Sequence, residues 1–197
     1  MDNFCVFILT HGRPSRVKTY TTLRNHGYSG RIILVIDNED PTAPEYYRRY
    51  GEQAVMFDKQ QIATTFDTGD NFDNRKTIVY ARNACWKIAE ERHIEAFVQL
   101  DDDYYWFGYR TATGAKSTRR LDTLFALLVT FLHETPITSV AFSQGGDHIG
   151  GYDDTKRVSR KAMNSFVCLT QRKFTFIGRI NEDVNTYVLY GGREKYF

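Results

Sequence analysis

One recurring pattern constrains this chain more than any other. Short apolar runs of strand-forming residues lead directly into polar or acidic residues, and stretches with helical spacing separate them. Phe4–Leu9 (FCVFIL) stops at Thr10-His11-Gly12-Arg13-Pro14, Arg31–Ile36 (RIILVI) at Asp37, and Ala96–Leu100 (AFVQL) at Asp101-Asp102-Asp103. Continuous apolar runs of this length suit strands buried on both faces. Ala54–Phe57, Ser139–Phe142 and Ser165–Leu169 read as further strands. Helices are expected over Arg16–His26 (capped by Ser15), Pro44–Tyr50, Arg75–Arg92, Leu121–His133 and Asp183–Tyr190, the last with Asn181 as its cap. Asp58–Asn74 is polar and is expected to be an irregular surface loop. Strands alternating with helices predict an α/β fold, a mostly parallel sheet with helices on both faces. In such sheets ligands sit beyond the carboxyl ends of the strands. Thr10–Arg13, Asp37–Asp40 and Asp101–Asp103 should therefore share one edge.

With 197 residues and no repeat or linker, the chain reads as a single domain spanning residues 1–197. A hydrophobic share of 42% against 25% charged excludes a disordered chain, and no apolar run approaches the roughly 20 residues that span a bilayer. The start MDNFCVFILT lacks a basic segment and is not expected to be a signal peptide. Cys5, Cys85 and Cys168 form no CxxC pair, so reduced thiols in a cytoplasmic protein are expected rather than a disulfide scaffold or zinc cluster. Net charge is only +2, but it is unevenly spread. From Lys156 to Arg179 there are seven Lys and Arg and no acid, and Lys116, Arg119 and Arg120 form a second cluster. Separated basic and acidic zones suit a phosphate-rich partner beside a metal or acid/base site; a solvated loop face is the plain alternative.

The acidic triplet carries the sharpest chemical signal. Three adjacent carboxylates repel one another unless a cation or exposure relieves them. Alternation points Asp101 and Asp103 to one side and Asp102 to the other, so the outer pair can share a ligand. Hard oxygen donors at a strand end suit Mg²⁺ or Mn²⁺ bound through one or two carboxylates and substrate phosphates. An acidic turn is the alternative. Neither GxxxxGK[ST] nor GxGxxG occurs, which disfavours P-loop ATPases and nicotinamide dehydrogenases. His148, in the Gly-rich stretch 145–151, is a candidate to complete a metal shell, as is Asp147. Tyr104-Tyr105-Trp106-Phe107 is either core or a stacking surface for a sugar or flipped base. Lys156, Arg157, Arg160 and Lys161 are candidates for contacts to DNA phosphates.

Taken together, the THGRP opening, the second strand ending in Asp37, Ala81-Arg82-Asn83, the Asp-Asp-Asp strand end and Gly178-Arg179-Ile180-Asn181-Glu182-Asp183 resemble nucleotide-sugar glycosyltransferases of the GT-A fold. More narrowly, the chain is similar to small phage enzymes of the TET-associated glycosyltransferase group, which is linked to hydroxymethylated pyrimidines in DNA. The resemblance implies a GT-A-like Rossmann-type sheet and a nucleotide-sugar donor, with uridine diphosphate as its nucleotide. It implies that Thr10, Arg13 and Asp37 contact the nucleoside and that Arg82 approaches the diphosphate. Asp101, Asp102 and Asp103 belong to the donor site, with Asp101 and Asp103 on Mn²⁺ or Mg²⁺. It further implies that Asp183, or failing it Glu182, removes the proton from the acceptor hydroxyl. Transfer to a protein or glycan, a nucleotidyltransferase making nucleotide sugars, and an inactive DNA-binding relative are the rival readings.

Overall fold

The computed structural model describes residues 3–70, 72, 74–111, 113–144, 163–193 and 196. Six strands form the main sheet: β1 (Phe4–Leu9), β2 (Arg31–Asp37), β3 (Ala54–Phe57), β4 (Ala96–Asp101), β7 (Ser139–Val140) and β8 (Ser165–Leu169). They lie in the order β3-β2-β1-β4-β8-β7. β1, β2, β3 and β4 are mutually parallel, while β8 runs antiparallel to both β4 and β7. This is the Rossmann-like sheet of the GT-A fold. β1 is flanked by β2 and β4 and covered on both faces, so every one of its residues is buried and no polar alternation survives in FCVFIL. Register aligns Leu9 with Val35 on one side and Asp101 on the other, and Asp37 with Phe57. Thr10, Asp37 and Asp101 consequently leave the sheet at one edge.

The helices divide between the faces. Leu23 of α1 (Lys18–Asn25), Ala43 and Tyr46 of α2 (Ala43–Tyr50), and Leu121, Phe125 and Leu132 of α5 (Leu121–Glu134) pack on one side with Val6, Ile8 and Leu34. On the other side Ile62 of α3 (Lys59–Ala63) and Val79, Ala84, Cys85 and Trp86 of α4 (Val79–Glu91) pack with Phe7, Val35 and Phe97. Phe97 sits between Phe7 and Trp86, with ring centroids 5.1 and 4.9 Å away. Truncating such a ring to Ala costs about 3–5 kcal/mol. α6 (Glu182–Gly191) joins this face through Tyr187 and Tyr190. Burial pushes the Cys5 and Cys168 thiols up to about 12, so neither is a ready nucleophile. Among the described residues no helix is long and apolar enough to cross a membrane.

Four local expectations are corrected, the first being the start of α4, which lies at Val79 rather than Arg75. α1 begins at Lys18 rather than Arg16, with Val17 and not Ser15 at its cap and no side-chain capping bond. The expected loop after Asp58 contains α3, because the Asp58 carboxylate accepts the Gln61 backbone N–H and caps it. Asn181 does not cap α6 through its side chain, for its backbone is left-handed (φ 54°) and no capping bond forms. An unforeseen hairpin, β5 (Gly108–Thr111) and β6 (Gly114–Ser117), stands between β4 and α5.

Candidate active site

The acidic triplet is held by α1. The Thr19 hydroxyl donates to the Asp101 carbonyl at 2.6 Å and accepts the Tyr104 N–H at 2.9 Å, while the Thr19 N–H donates to the Asp102 carbonyl at 3.1 Å. Three bonds from one buried threonine fix the turn, so the alternation set up along β4 persists through it. Asp102 is buried toward β1, where it accepts the Thr10 hydroxyl at 2.7 Å and pairs with Arg13 at 3.1 Å. Asp101 and Asp103 turn the other way and line a common cleft. The division of the triplet therefore matches its alternation in sequence.

On the Asp102 side lies a cleft of about 320 Å³, lined among others by Thr10, His11, Arg13, Asp37, Lys59 and Lys76. Most of its charges are paired. Asp37 accepts from the buried Lys59 ammonium at 3.2 Å and lies 2.7 Å from His11 Nδ1. The Gly12 N–H donates to Asp40 at 2.7 Å. Burial tends to raise the Asp40 carboxyl, but bonds from the Thr42 hydroxyl and from the Gly12 and Thr42 N–H groups outweigh it and hold Asp40 below the usual carboxylate range. Thr10, Arg13 and Asp37 thus come together as expected from their strand ends. Lys59 was not foreseen; the only sequence signal was a lysine just after the β3 run.

Arg82 lies beneath the triplet rather than in either cleft. It is 1% exposed, donates from Nε to Glu182 at 2.9 Å and from Nη2 to Asp101 at 3.2 Å, and among the described residues its Nη1 has no hydrogen-bond partner. One guanidinium thereby ties β4 to the start of α6. The Asp101 carboxyl is pushed up to about 6, first by burial and then by Asp103, Glu182 and Asp102, with Arg82 pulling the other way. Asp183 is buried, and its Oδ1 accepts the Val184 N–H at 2.8 Å. Glu182 is thus the ion-paired member of the two, and Asp183 a neighbour that helps keep Arg82 protonated. Asn83, next to Arg82 and also missed, exchanges two hydrogen bonds with the backbone of Phe176 at 2.9 and 2.8 Å. Those bonds dock the segment leading to α6 onto α4. Gly178 completes that approach at φ +82°, where a Cβ would come within 2.3 Å of the Asn185 side chain.

On the Asp101/Asp103 side lies a cleft of about 360 Å³, lined by Tyr104, Tyr105, Trp106, Phe107, Arg110 and Gln144 among others. The aromatic tetrapeptide is divided between both of its readings. Phe107 is core, with Tyr104 stacked on it at 5.5 Å, whereas Tyr105 is 85% and Trp106 40% exposed.

Among the described residues no group of three or more His, Cys, Asp or Glu could hold a metal ion by itself. The donor set suits the alternative in which a hard cation takes one or two carboxylates and completes its shell with phosphate and water. Asp103 is exposed and lines the same cleft as Asp101. His148, Lys156, Arg157, Arg160 and Lys161 lie outside the described residues.

Compared with known protein families, residues 4–195 match the family model described as TET-Associated Glycosyltransferase. No curated protein matches the chain.

Proposed function

The chain belongs to the TET-associated glycosyltransferase family and is a glycosyltransferase, and on that footing we propose that it moves a sugar from a uridine diphosphate sugar to the hydroxymethyl group of a modified pyrimidine in DNA, with Mn²⁺ or Mg²⁺ at Asp101 and Asp103. The observation that carries this reading is the placement of the triplet between two unlike clefts, one cationic and polar, the other aromatic. The nucleoside occupies the first, where Thr10, Arg13, Lys59 and Lys76 offer donors to the oxygens of a base, ribose or phosphate. The acceptor occupies the second.

When bound, a divalent cation supplies positive charge against which the diphosphate can depart. Arg82 holds Asp101 in place and offsets part of the charge of Asp101 and Glu182. As the acceptor oxygen bonds to the anomeric carbon, the carbon–oxygen bond to the diphosphate breaks and its electron pair leaves with the phosphate. The acceptor hydroxyl proton passes to Asp183, since Glu182 is already committed to Arg82. The 5-substituent of a pyrimidine lies in the major groove, so it is accessible in a duplex, and flipping would carry it fully into the cleft. Lys156, Arg157, Arg160 and Lys161 add phosphate contacts in this reading.

A donor screen with hydroxymethylated DNA, unmodified DNA and glycan acceptors, read by mass spectrometry, tests the proposal. The expected product is hydroxymethylated DNA heavier by one sugar, formed from a uridine donor only when Mn²⁺ or Mg²⁺ is present. Transfer to glycan alone, or transfer unaffected by chelation, would contradict it.

A further inference from the structure

The stretch from Tyr104 to Leu121 holds Arg110, Lys116, Arg119 and Arg120 and no acidic residue, and its middle is the β5–β6 hairpin. All of β6 is exposed, as are Tyr109 and Arg110 on β5. Tyr109 and Lys116 are direct partners across the hairpin, and Arg110 lines the aromatic cleft. Neither Arg110 nor Lys116 pairs with an acid among the described residues, so both charges are available to a partner.

Trp106 is seated on this hairpin. A Cβ on Gly108 would fall 2.2 Å from the Trp106 ring and 2.3 Å from the Lys116 carbonyl, so the missing side chain is what lets the indole lie against the backbone. The ring is supported from below and open above. The neighbouring Phe107 lines the same cleft and packs at its edge against Phe142 (6.1 Å) and His26 (5.8 Å). Aromatic faces beside unpaired cations form the combination that binds unstacked bases and tracks their phosphates. A polypeptide partner would account for the aromatics but not for the absence of any acid among these 18 residues.

We propose that Trp106 and Tyr105 form a stacking platform for one unstacked pyrimidine of a DNA strand, and that Arg110 and Lys116 of the hairpin hold the adjoining phosphates. The site rests on the DNA-acceptor reading above and locates it. The base edge then faces Asp101 and Asp103 at the inner end of the cleft, and the backbone runs outward over the hairpin.

Trp106 is one of two tryptophans, and the other, Trp86, is 1% exposed in the core. Intrinsic fluorescence therefore reports on the platform. The full chain is titrated with single-stranded oligothymidine while binding is followed in parallel by filter retention. Binding is expected to quench the emission. Trp106→Phe should retain most of the affinity but lose the quenching. Trp106→Ala or Tyr105→Ala should weaken binding on the order of tenfold. Arg110→Ser with Lys116→Ser should flatten the dependence of log affinity on log salt by about one unit. Binding that persists with unchanged affinity in Trp106→Ala, or quenching that survives Trp106→Phe, would overturn the platform while leaving a DNA acceptor intact. Failure of the unaltered protein to retain any oligonucleotide would instead overturn the DNA-acceptor reading, and the platform with it.

Discussion

The two clefts that flank the acidic triplet are built by different physics. On the Asp102 side the carboxylates are buried and each has a partner: Asp37 the buried Lys59 ammonium, Asp102 the half-exposed Arg13, and Asp40 the Gly12 N–H. They sit at strand ends fixed by the parallel register of β1, β2 and β4. On the other side, exposed aromatics and unpaired cations stand on a two-stranded hairpin. Buried pairs cannot be broken cheaply, because the partner left behind is an uncompensated charge in a poor solvent. Exposed platform residues hold up nothing and can change with the partner they serve. The Asp102 side is thus a preorganised part of the fold, and the aromatic side is an addition to it.

The largest effect is expected at Arg82, which is buried outside both clefts. Arg82→Met leaves Asp101 and Glu182 without their shared cation, and a loss of about 3–5 kcal/mol in urea denaturation is expected. Lys59→Met should fall in the same range through Asp37. Asp183→Asn should lower transfer by about 10²–10⁴-fold with the affinity for the nucleotide little changed; a rate within threefold of the unaltered enzyme would remove Asp183 as the base. On the exposed side, Tyr105→Ala should move stability by no more than about 0.5 kcal/mol. A much larger loss would mean that the aromatic side is also structural.

The smallest effect concerns acid. The fold holds Asp40 below the usual carboxylate range, so its contribution is fully present above about pH 4 and fades as pH drops below that value. Asp40→Asn should therefore flatten that part of the acid denaturation curve. A curve unchanged by the substitution would show that the ties between Gly12, Asp40 and Thr42 contribute nothing measurable.

The Asp102 side is legible in the sequence because strands buried on both faces leave a continuous apolar signal, and their ends then align through register. FCVFIL, RIILVI and AFVQL were legible for that reason, and so were Thr10, Asp37 and the division of the triplet. Thr19, Asn83 and Lys59 were not. Each acts across tens of residues of sequence, and a lone threonine, asparagine or lysine carries no periodicity that marks such a partner. Arg82 is legible through the resemblance, and the fold adds that it ties Asp101 to Glu182. The hairpin escaped because Gly108–Ser117 has no apolar alternation; its strands face water on both sides. Asn181 was read as a cap because asparagine often serves as one, yet asparagine also tolerates the left-handed backbone it adopts here.

In the function proposed above, the carboxylates facing the aromatic cleft hold a divalent cation against a diphosphate. Calorimetric titration with uridine diphosphate, with and without Mn²⁺, tests it most directly in the unaltered protein and in Asp103→Asn. Because Asp103 is exposed, the substitution should leave the fold intact. The expected result is binding that depends on Mn²⁺ and is lost in the variant. Equal affinity with and without the metal, or an Asp103→Asn protein that binds as tightly as the original, would contradict it.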